Sequence, residues 1–330
     1  MSSIGELRRL ARRRERGGTP AAKVRHPDNL AGHLFLIPWF IGVLAFTIGP
    51  MIASLFLAFT DYNLLQPPTW AGLDNIVRMI EDERLWNSLR VTLVYVIVSV
   101  PLQLALALGV AMLLDKGMRG LAIYRSIFYL PSLLGGSVAI AILWRQVFGK
   151  EGIVNAFLAL LGIEGPGWIS HPDYALLTII ILHVWTFGSP MIIFLAGLRQ
   201  IPEMYYEAAQ VDGAGKLRRF VSITFPLLTP IIFFNLVLQI IFAFQSFTQA
   251  YIVSGGTGGP SDSTMFFTLY LYQQAFTELE MGYASAMAWF LLLIIAAFTA
   301  FNFWFSKFWV FYEEDSGVDR RRGRGSRRAA

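Results

Sequence analysis

The sequence predicts an all-α polytopic membrane protein with six transmembrane helices. Three observations carry that expectation. Of the 330 residues, 55% are hydrophobic and only 15% are charged, against about 25% charged in a soluble domain. The charges are also not spread evenly, because six long stretches have almost none. Finally, the basic residues alternate between dense and sparse connecting segments. So few charges cannot cover a water-facing surface. This disfavours a soluble enzyme, a disordered scaffold and a nucleic-acid binder, despite the net charge of +5.

The uncharged stretches are 34–60, 91–114, 126–144, 174–198, the front of 220–261, and 281–306. A bilayer core needs about 20 apolar residues per spanning helix. The third stretch reaches that length if Arg125 and Arg145 snorkel at its ends. The first follows a basic region, as a secretory signal does, but it is too long for a signal core and contains Pro38 and Pro50. It therefore reads as an uncleaved first span. In the fifth, Gly255–Pro260 interrupts the run. The Gly/Pro-rich, half-polar segment 253–277 would leave unpaired backbone groups in lipid, so it reads as an external loop. Between the first two spans, 73–86 sets Leu73, Ile76, Val77 and Ile80 against Asp74, Arg78, Glu81 and Asp82. It is expected as a short amphipathic helix on the outer face.

Orientation follows from Lys and Arg. Residues 1–33, 115–125, 199–219 and the tail from Lys307 hold 22 of the 27 basic residues. That places both termini in the cytoplasm. It divides the chain into a basic N-terminal segment 1–33, a six-helix domain 34–311, and an Arg-rich tail 312–330. The arginine runs 8–16 and 320–328 read as anchors on anionic membrane lipid.

The interior is defined by what it lacks. There is no cysteine, hence no disulfide, thiolate metal site or cysteine nucleophile. The histidines (His26, His33, His171, His183) have no metal-ligand spacing. His183 lies within the fourth span, where it reads as a neutral imidazole bonded to a neighbouring helix. No carboxylate or arginine ladder sits in mid-span, as ion-driven carriers and voltage sensors require. No nucleotide loop is present either, since Gly213-Ala214-Gly215-Lys216 lacks the phosphate-cradling spacing. Uphill transport by this chain would need an external engine.

The segment 199–226 (RQIPEMYYEAAQVDGAGKLRRFVSITFP) offers a place for one. Pro202 and Glu203 favour a helix start. Met204, Ala208 and Val211 fall on one face, and Gly213 stops the helix. A second short helix is expected over 215–222, with Pro226 leading into the fifth span. Ala208 and Ala209 would let another surface approach closely. Taken alone, such a basic amphipathic loop could simply lie on lipid headgroups. Its spelling is more specific. Glu207-Ala208-Ala209, three residues, Gly213, nine residues, Ile223, one residue, then Phe225-Pro226 resembles the EAA loop of ATP-binding-cassette (ABC) importer permeases. Where that pattern has leucine before proline, this chain keeps an apolar residue, Phe225. FTDYNLL (59–65), WAGLDNIVRMIEDERLWNSLRVTLVY (70–95), IYRSIFYLPSLL (123–134), LRQIPEMYYEAAQVDGA (198–214) and GYASAM (282–287) are similar to the sugar permeases of the maltose/multiple-sugar branch.

The resemblance implies a type I importer permease fold in a bacterial plasma membrane, with no catalytic activity of its own. It implies a second, different permease subunit, two ATPase subunits that hold ATP and Mg, and an extracytoplasmic solute-binding protein. This chain itself would bind no cofactor. Glu207, Ala208, Ala209, Gly213 and Pro226 would form the ATPase-coupling site, with Glu207 making a polar contact and Gly213 permitting the bend.

A substrate path is expected beside the fifth span. Asn235, Gln239, Ser246 and Gln249 recur at helical spacing, with Phe242 on the same stripe and Gln245 beside it. Amides can both donate to and accept from hydroxyls, and aromatic rings offer faces to sugar C–H groups. The candidates are Gln239, Phe242, Gln245, Ser246, Thr248, Gln249 and Tyr251. Polar residues also glue membrane helices together, and Asn235 fits that role best. The mixture suits a neutral polyol. A permease for glycerol 3-phosphate or another solute is the nearest alternative, and an ion-coupled carrier a more distant one. Ser189-Pro190 is expected to kink the fourth span and open a cavity.

Overall fold

The computed structural model describes the backbone of residues 28–117 and 120–311. The arginine runs 8–16 and 320–328 lie outside the described residues. The chain divides into two units, one ending at Ser54 and one starting at Leu55. The first holds helix α1 (Asp28–Val43), a wider π turn (Leu44–Ile48) and most of α2 (Gly49–Leu57). Pro50 has no N–H to continue the ordinary ladder. The turn before it widens, and the Gly49 N–H reaches back to the Leu44 carbonyl. The run His33–Leu57 remains one helix long and apolar enough to cross a bilayer.

The second unit opens with a two-residue antiparallel pair, β1 (Thr60–Asp61) and β2 (Thr69–Trp70). Helix α3 (Asp74–Glu81) follows. The amphipathic helix expected over 73–86 is cut short at Asp82. The Asp82 carboxylate accepts the N–H groups of Arg84 and Leu85, both at 3.0 Å, and so caps a new helix, α4 (Glu83–Asp115). The second span therefore starts well before the uncharged stretch does.

Helix α4 is the central pillar. Its buried positions Ser88, Thr92, Tyr95, Ser99, Gln103, Ala107, Ala111 and Leu114 recur every three or four residues along one face. The small ones let neighbouring backbones come close. Next come α5 (Leu121–Leu134), α6 (Val138–Val147), α7 (Ile153–Leu160), α8 (Pro172–Trp185) and α9 (Gly188–Leu198). Both central spans are broken. α5 and α6 meet at 97°, and α8 and α9 at 41°. With each bent pair counted as one span, the described residues hold six.

The break between α8 and α9 falls one turn before the expected kink, for a reason that lies in Pro190. A proline ring displaces the carbonyl four residues earlier, which here is that of Thr186. The helix stops at Trp185 and resumes at Gly188, with Pro190 in the first turn of the new segment.

Gly188 also explains how α9 reaches α5. A Cβ placed there would lie 2.2 Å from the Phe128 carbonyl oxygen and 2.7 Å from Tyr129 Cα. Both are backbone atoms, so no rotamer change relieves the clash. We expect Gly188→Ala to destabilise the protein by about 1–3 kcal/mol, read as a lowered Tm of the purified protein.

Helix α10 (Glu203–Val211) precedes the fifth span. The expected second helix, 215–222, is not a separate element. α11 (Lys216–Arg219), a π turn (Phe220–Thr224) and α12 (Phe225–Phe244) run on as one helix from Lys216 to Phe244. Pro226 thus sits inside the helix rather than before it. Its missing N–H is accommodated by the π turn, where the Phe225 N–H reaches the Phe220 carbonyl.

The segment after α12 is not a surface loop. It contains α13 (Thr248–Ser254), a 3₁₀ turn (Pro260–Asp262) and α14 (Phe267–Tyr272). Met265, Phe266 and Phe267 are wholly buried. The Phe267 N–H donates to Thr92 Oγ1 on α4 at 2.8 Å, and the Phe266 ring lies 4.6 Å from that of Tyr95. The stretch Thr264–Phe267 is buried in protein, which is where irregular backbone is tolerated. Helix α15 (Met281–Ser306) completes the bundle, and its GYASAM opening is buried throughout.

Candidate functional site

Two sites emerge. The first is the loop around α10. The helix ends at Val211, and Gly213 takes φ +72°. The Ala214 N–H donates to Ala209 O at 2.8 Å and the Gly213 N–H to Gln210 O at 3.0 Å. This paired arrangement is a Schellman cap, which needs a left-handed residue where Gly213 stands. Tyr206 Oη and Thr224 Oγ1 are 2.9 Å apart, which ties α10 to the start of the fifth span. Glu207 and Ala208 are exposed, Ala209 and Pro226 half-buried. On the apolar face Met204 is 66% and Val211 89% exposed. α10 has no buried residue.

The second site is a cavity of about 450 Å³ beside the α5–α6 and α8–α9 breaks and the end of α12. From the fifth span and α13 it is lined by Gln239, Phe242, Gln245, Ser246, Thr248 and Gln249. Six of the seven candidates for the path are thus brought together, although not by the periodicity that suggested them. The helix ends at Phe244, and the chain turns through Gln245–Phe247 before α13. The seventh, Tyr251, is not among the lining residues. Its ring packs against Phe247 and Tyr272 at centroid distances of 5.4 and 5.5 Å. Asn235 is buried, and its amide donates to Ile231 O within its own helix, so it joins no neighbouring helix through that bond.

The opposite partners come from the broken spans. Gln249 Nε2 donates to Gly135 O at the α5–α6 break, 3.2 Å away, and Ser246 Oγ to Gln249 Oε1 at 3.3 Å. The Thr186 carbonyl freed by Pro190 accepts from Ser132 Oγ at 2.8 Å and from Gln103 Nε2 at 3.1 Å. The Ser189 N–H closes the set by donating to Ser132 Oγ at 2.8 Å. Gln103 was missed in the sequence. Its signal was the single amide of the uncharged stretch 91–114. His183 also lines the cavity. Its Nε2 is buried with no hydrogen-bond partner among the described residues, so the expected bond to a neighbouring helix is not made by that atom. Among the described residues no Asp, Glu, Lys or Arg lines the cavity. Among the described residues no group of His, Asp and Glu is placed to hold a metal ion.

Comparison with known proteins bears on both sites. Residues 83–309 match the family model of the binding-protein-dependent transport system inner membrane component. A probable ABC transporter permease, YesP, of Bacillus subtilis (strain 168) is 55% identical over 87% of this chain and 93% of its own length. The lactose transport system permease LacF of Rhizobium radiobacter is 31% identical over 87% of this chain and 97% of its own. A crystallised bacterial alginate ABC transporter, in complex with an alginate pentasaccharide-bound periplasmic protein, contains a chain of the same fold. Its TM-score is 0.69 at 23% identity, over 84% of this chain and 94% of that one. This multi-pass membrane protein belongs to the inner-membrane components of binding-protein-dependent transport systems, the permease subunits of ABC transporters.

Proposed function

We propose that the chain is one of two different permease subunits in an ATP-driven saccharide importer. Two ATPase subunits, carrying ATP and Mg, dock on α10 and the Gly213 turn from the cytoplasm, the side on which both termini lie. An extracytoplasmic solute-binding protein delivers sugar from the other side, and the cavity is this subunit's half of the path. One observation carries the reading. Amides, hydroxyls and aromatic rings, with no charged side chain among the described lining residues, converge where two spans are broken and the fifth ends. Transporters place substrates at such interruptions because irregular backbone is tolerated where it lines a cavity. An organic phosphate would call for a basic residue there. The lactose permease and the alginate importer, each by its own name a saccharide transporter, support the substrate class.

Gln249 gives the test, because its amide joins α13 to the α5–α6 break. In the reconstituted complex, Gln249→Ala should lower saccharide uptake about tenfold, the worth of a lost hydrogen bond or two, while ATPase still co-purifies. Unaltered uptake kinetics would remove Gln249 from the path.

A further inference from the structure

Two residues that line the cavity each carry a buried polar atom that the described residues do not satisfy. Gln103 is 2% exposed. Its Nε2 donates to His183 O at 3.2 Å, Thr186 O at 3.1 Å and Thr186 Oγ1 at 3.0 Å. Two of these are backbone carbonyls, which can only accept. They fix which end of the amide is nitrogen, an assignment often ambiguous. Oε1 is therefore the end left over, buried and without a partner. On the next helix, His183 Nε2 is in the same state. The imidazole lies edge to face with the Tyr95 ring at 5.4 Å. Among the described residues no carboxylate lines the cavity.

Buried polar groups in folded proteins are almost always paired, and one left open asks for an explanation. Two unpaired buried atoms on residues that line one cavity share a single explanation. We infer that Gln103 and His183 form a ligand subsite that accepts hydroxyl protons of the transported sugar and helps determine which sugar is held. Gln103 Oε1 is an acceptor by necessity. A neutral imidazole accepts at Nε2 when its proton is on the other nitrogen. The complementary ligand is one that presents adjacent O–H donors, which the hydroxyls of a saccharide ring supply. The inference rests on the cavity being the saccharide path, and it adds the α4 and α8 wall to the residues of the fifth span.

A subsite held open for a ligand and a purely structural histidine respond in opposite ways to His183→Phe. Phenylalanine keeps a ring against Tyr95 and removes the unpaired nitrogen. For a subsite, Tm stays level or rises, because a residue kept at a cost to stability has been relieved. At the same time the labelled sugar binds the purified transporter complex in lipid nanodiscs about tenfold more weakly, which is one hydrogen bond. The probe is the tightest-bound member of a panel of neutral and acidic mono- to pentasaccharides. His183→Gln, which keeps a polar end, should recover most of the affinity. A lowered Tm with unchanged sugar affinity would make His183 structural and overturn the inference while leaving the saccharide path standing. Absence of both binding and uptake of every saccharide by the unaltered complex would remove the path and the subsite together.

Discussion

Gly213→Val should abolish coupling while leaving the helical bundle folded. Gly213 holds φ +72°, a region that costs an L-residue about 1–2 kcal/mol and a β-branched one more. Space is not the obstacle, since a Cβ at this position would meet no atom within 4 Å. The penalty is purely one of backbone conformation. It is most cheaply avoided by abandoning the cap, with loss of the Ala214-to-Ala209 and Gly213-to-Gln210 bonds. The chain between α10 and α11 would then leave α10 in a new direction. The turn bears no core packing, because Gly213 is exposed and α10 has no buried residue, and the Tyr206–Thr224 bond ties α10 to the fifth span. The expected result is an unchanged Tm for the isolated permease, with recovery of the ATPase complex and sugar-stimulated ATP hydrolysis down at least about tenfold. Glu207→Ala isolates the chemical half of the same contact. Glu207 is exposed and makes no hydrogen bond or ion pair with the described residues. Its loss should therefore weaken docking without touching the fold. Normal assembly and coupling in both variants would sink the docking reading.

What the sequence showed here follows from where its signals are local. The α10 helix and its stop were legible, because Pro202, Glu203 and Gly213 act through their own backbone. The apolar stretches were legible as helices, because burial in lipid imposes a long uncharged run. Whether such a run is straight is another matter. The α5–α6 and α8–α9 breaks depend on what receives the freed carbonyls. For Thr186 the receivers are Gln103 and Ser132, distant in sequence by 83 and 54 positions. Without them Pro190 signals only a kink. The stripe through Ser246 and Gln249 named residues that do line one cavity, but on a wrong premise, since those residues reach it through a turn. Asp82 was read as the polar face of an amphipathic helix. The local sign of a helix start was there, an aspartate followed by Glu83 ahead of an apolar run. The tyrosines that share its carboxylate lie near the other end of the chain.

Those tyrosines make Asp82 the residue whose loss should destabilise the fold most. One carboxylate receives four hydrogen bonds: Tyr283 Oη at 2.6 Å, Tyr270 Oη at 2.7 Å, and the Arg84 and Leu85 N–H groups. It thereby joins the start of α4 to α14 and to the start of α15. Arg78 over the Tyr283 ring at 4.1 Å and the exposed Arg84–Asp262 pair at 2.8 Å surround the same junction but add little. A lost N-cap costs about 1 kcal/mol. Each hydroxyl bond to a charged acceptor is worth about 1.5–3 kcal/mol before discounting for water at this half-buried position. Asp82→Ala should therefore cost about 3 kcal/mol and lower Tm markedly. Asp82→Asn, which still accepts but carries no charge, should cost about half as much. The pH dependence has a definite sign. Burial alone would raise the Asp82 carboxyl, but the bonds from Tyr283, Tyr270 and the two amides outweigh it and hold the group below its ordinary 3.8. A depressed carboxylate stabilises the fold fully above its unfolded value and loses that contribution as pH falls through the folded one. The gap in Tm between the unaltered protein and Asp82→Asn should be constant near neutrality and close only below about pH 3.8. If the gap instead persisted undiminished into strong acid, Asp82 would act by its shape and not by its charge.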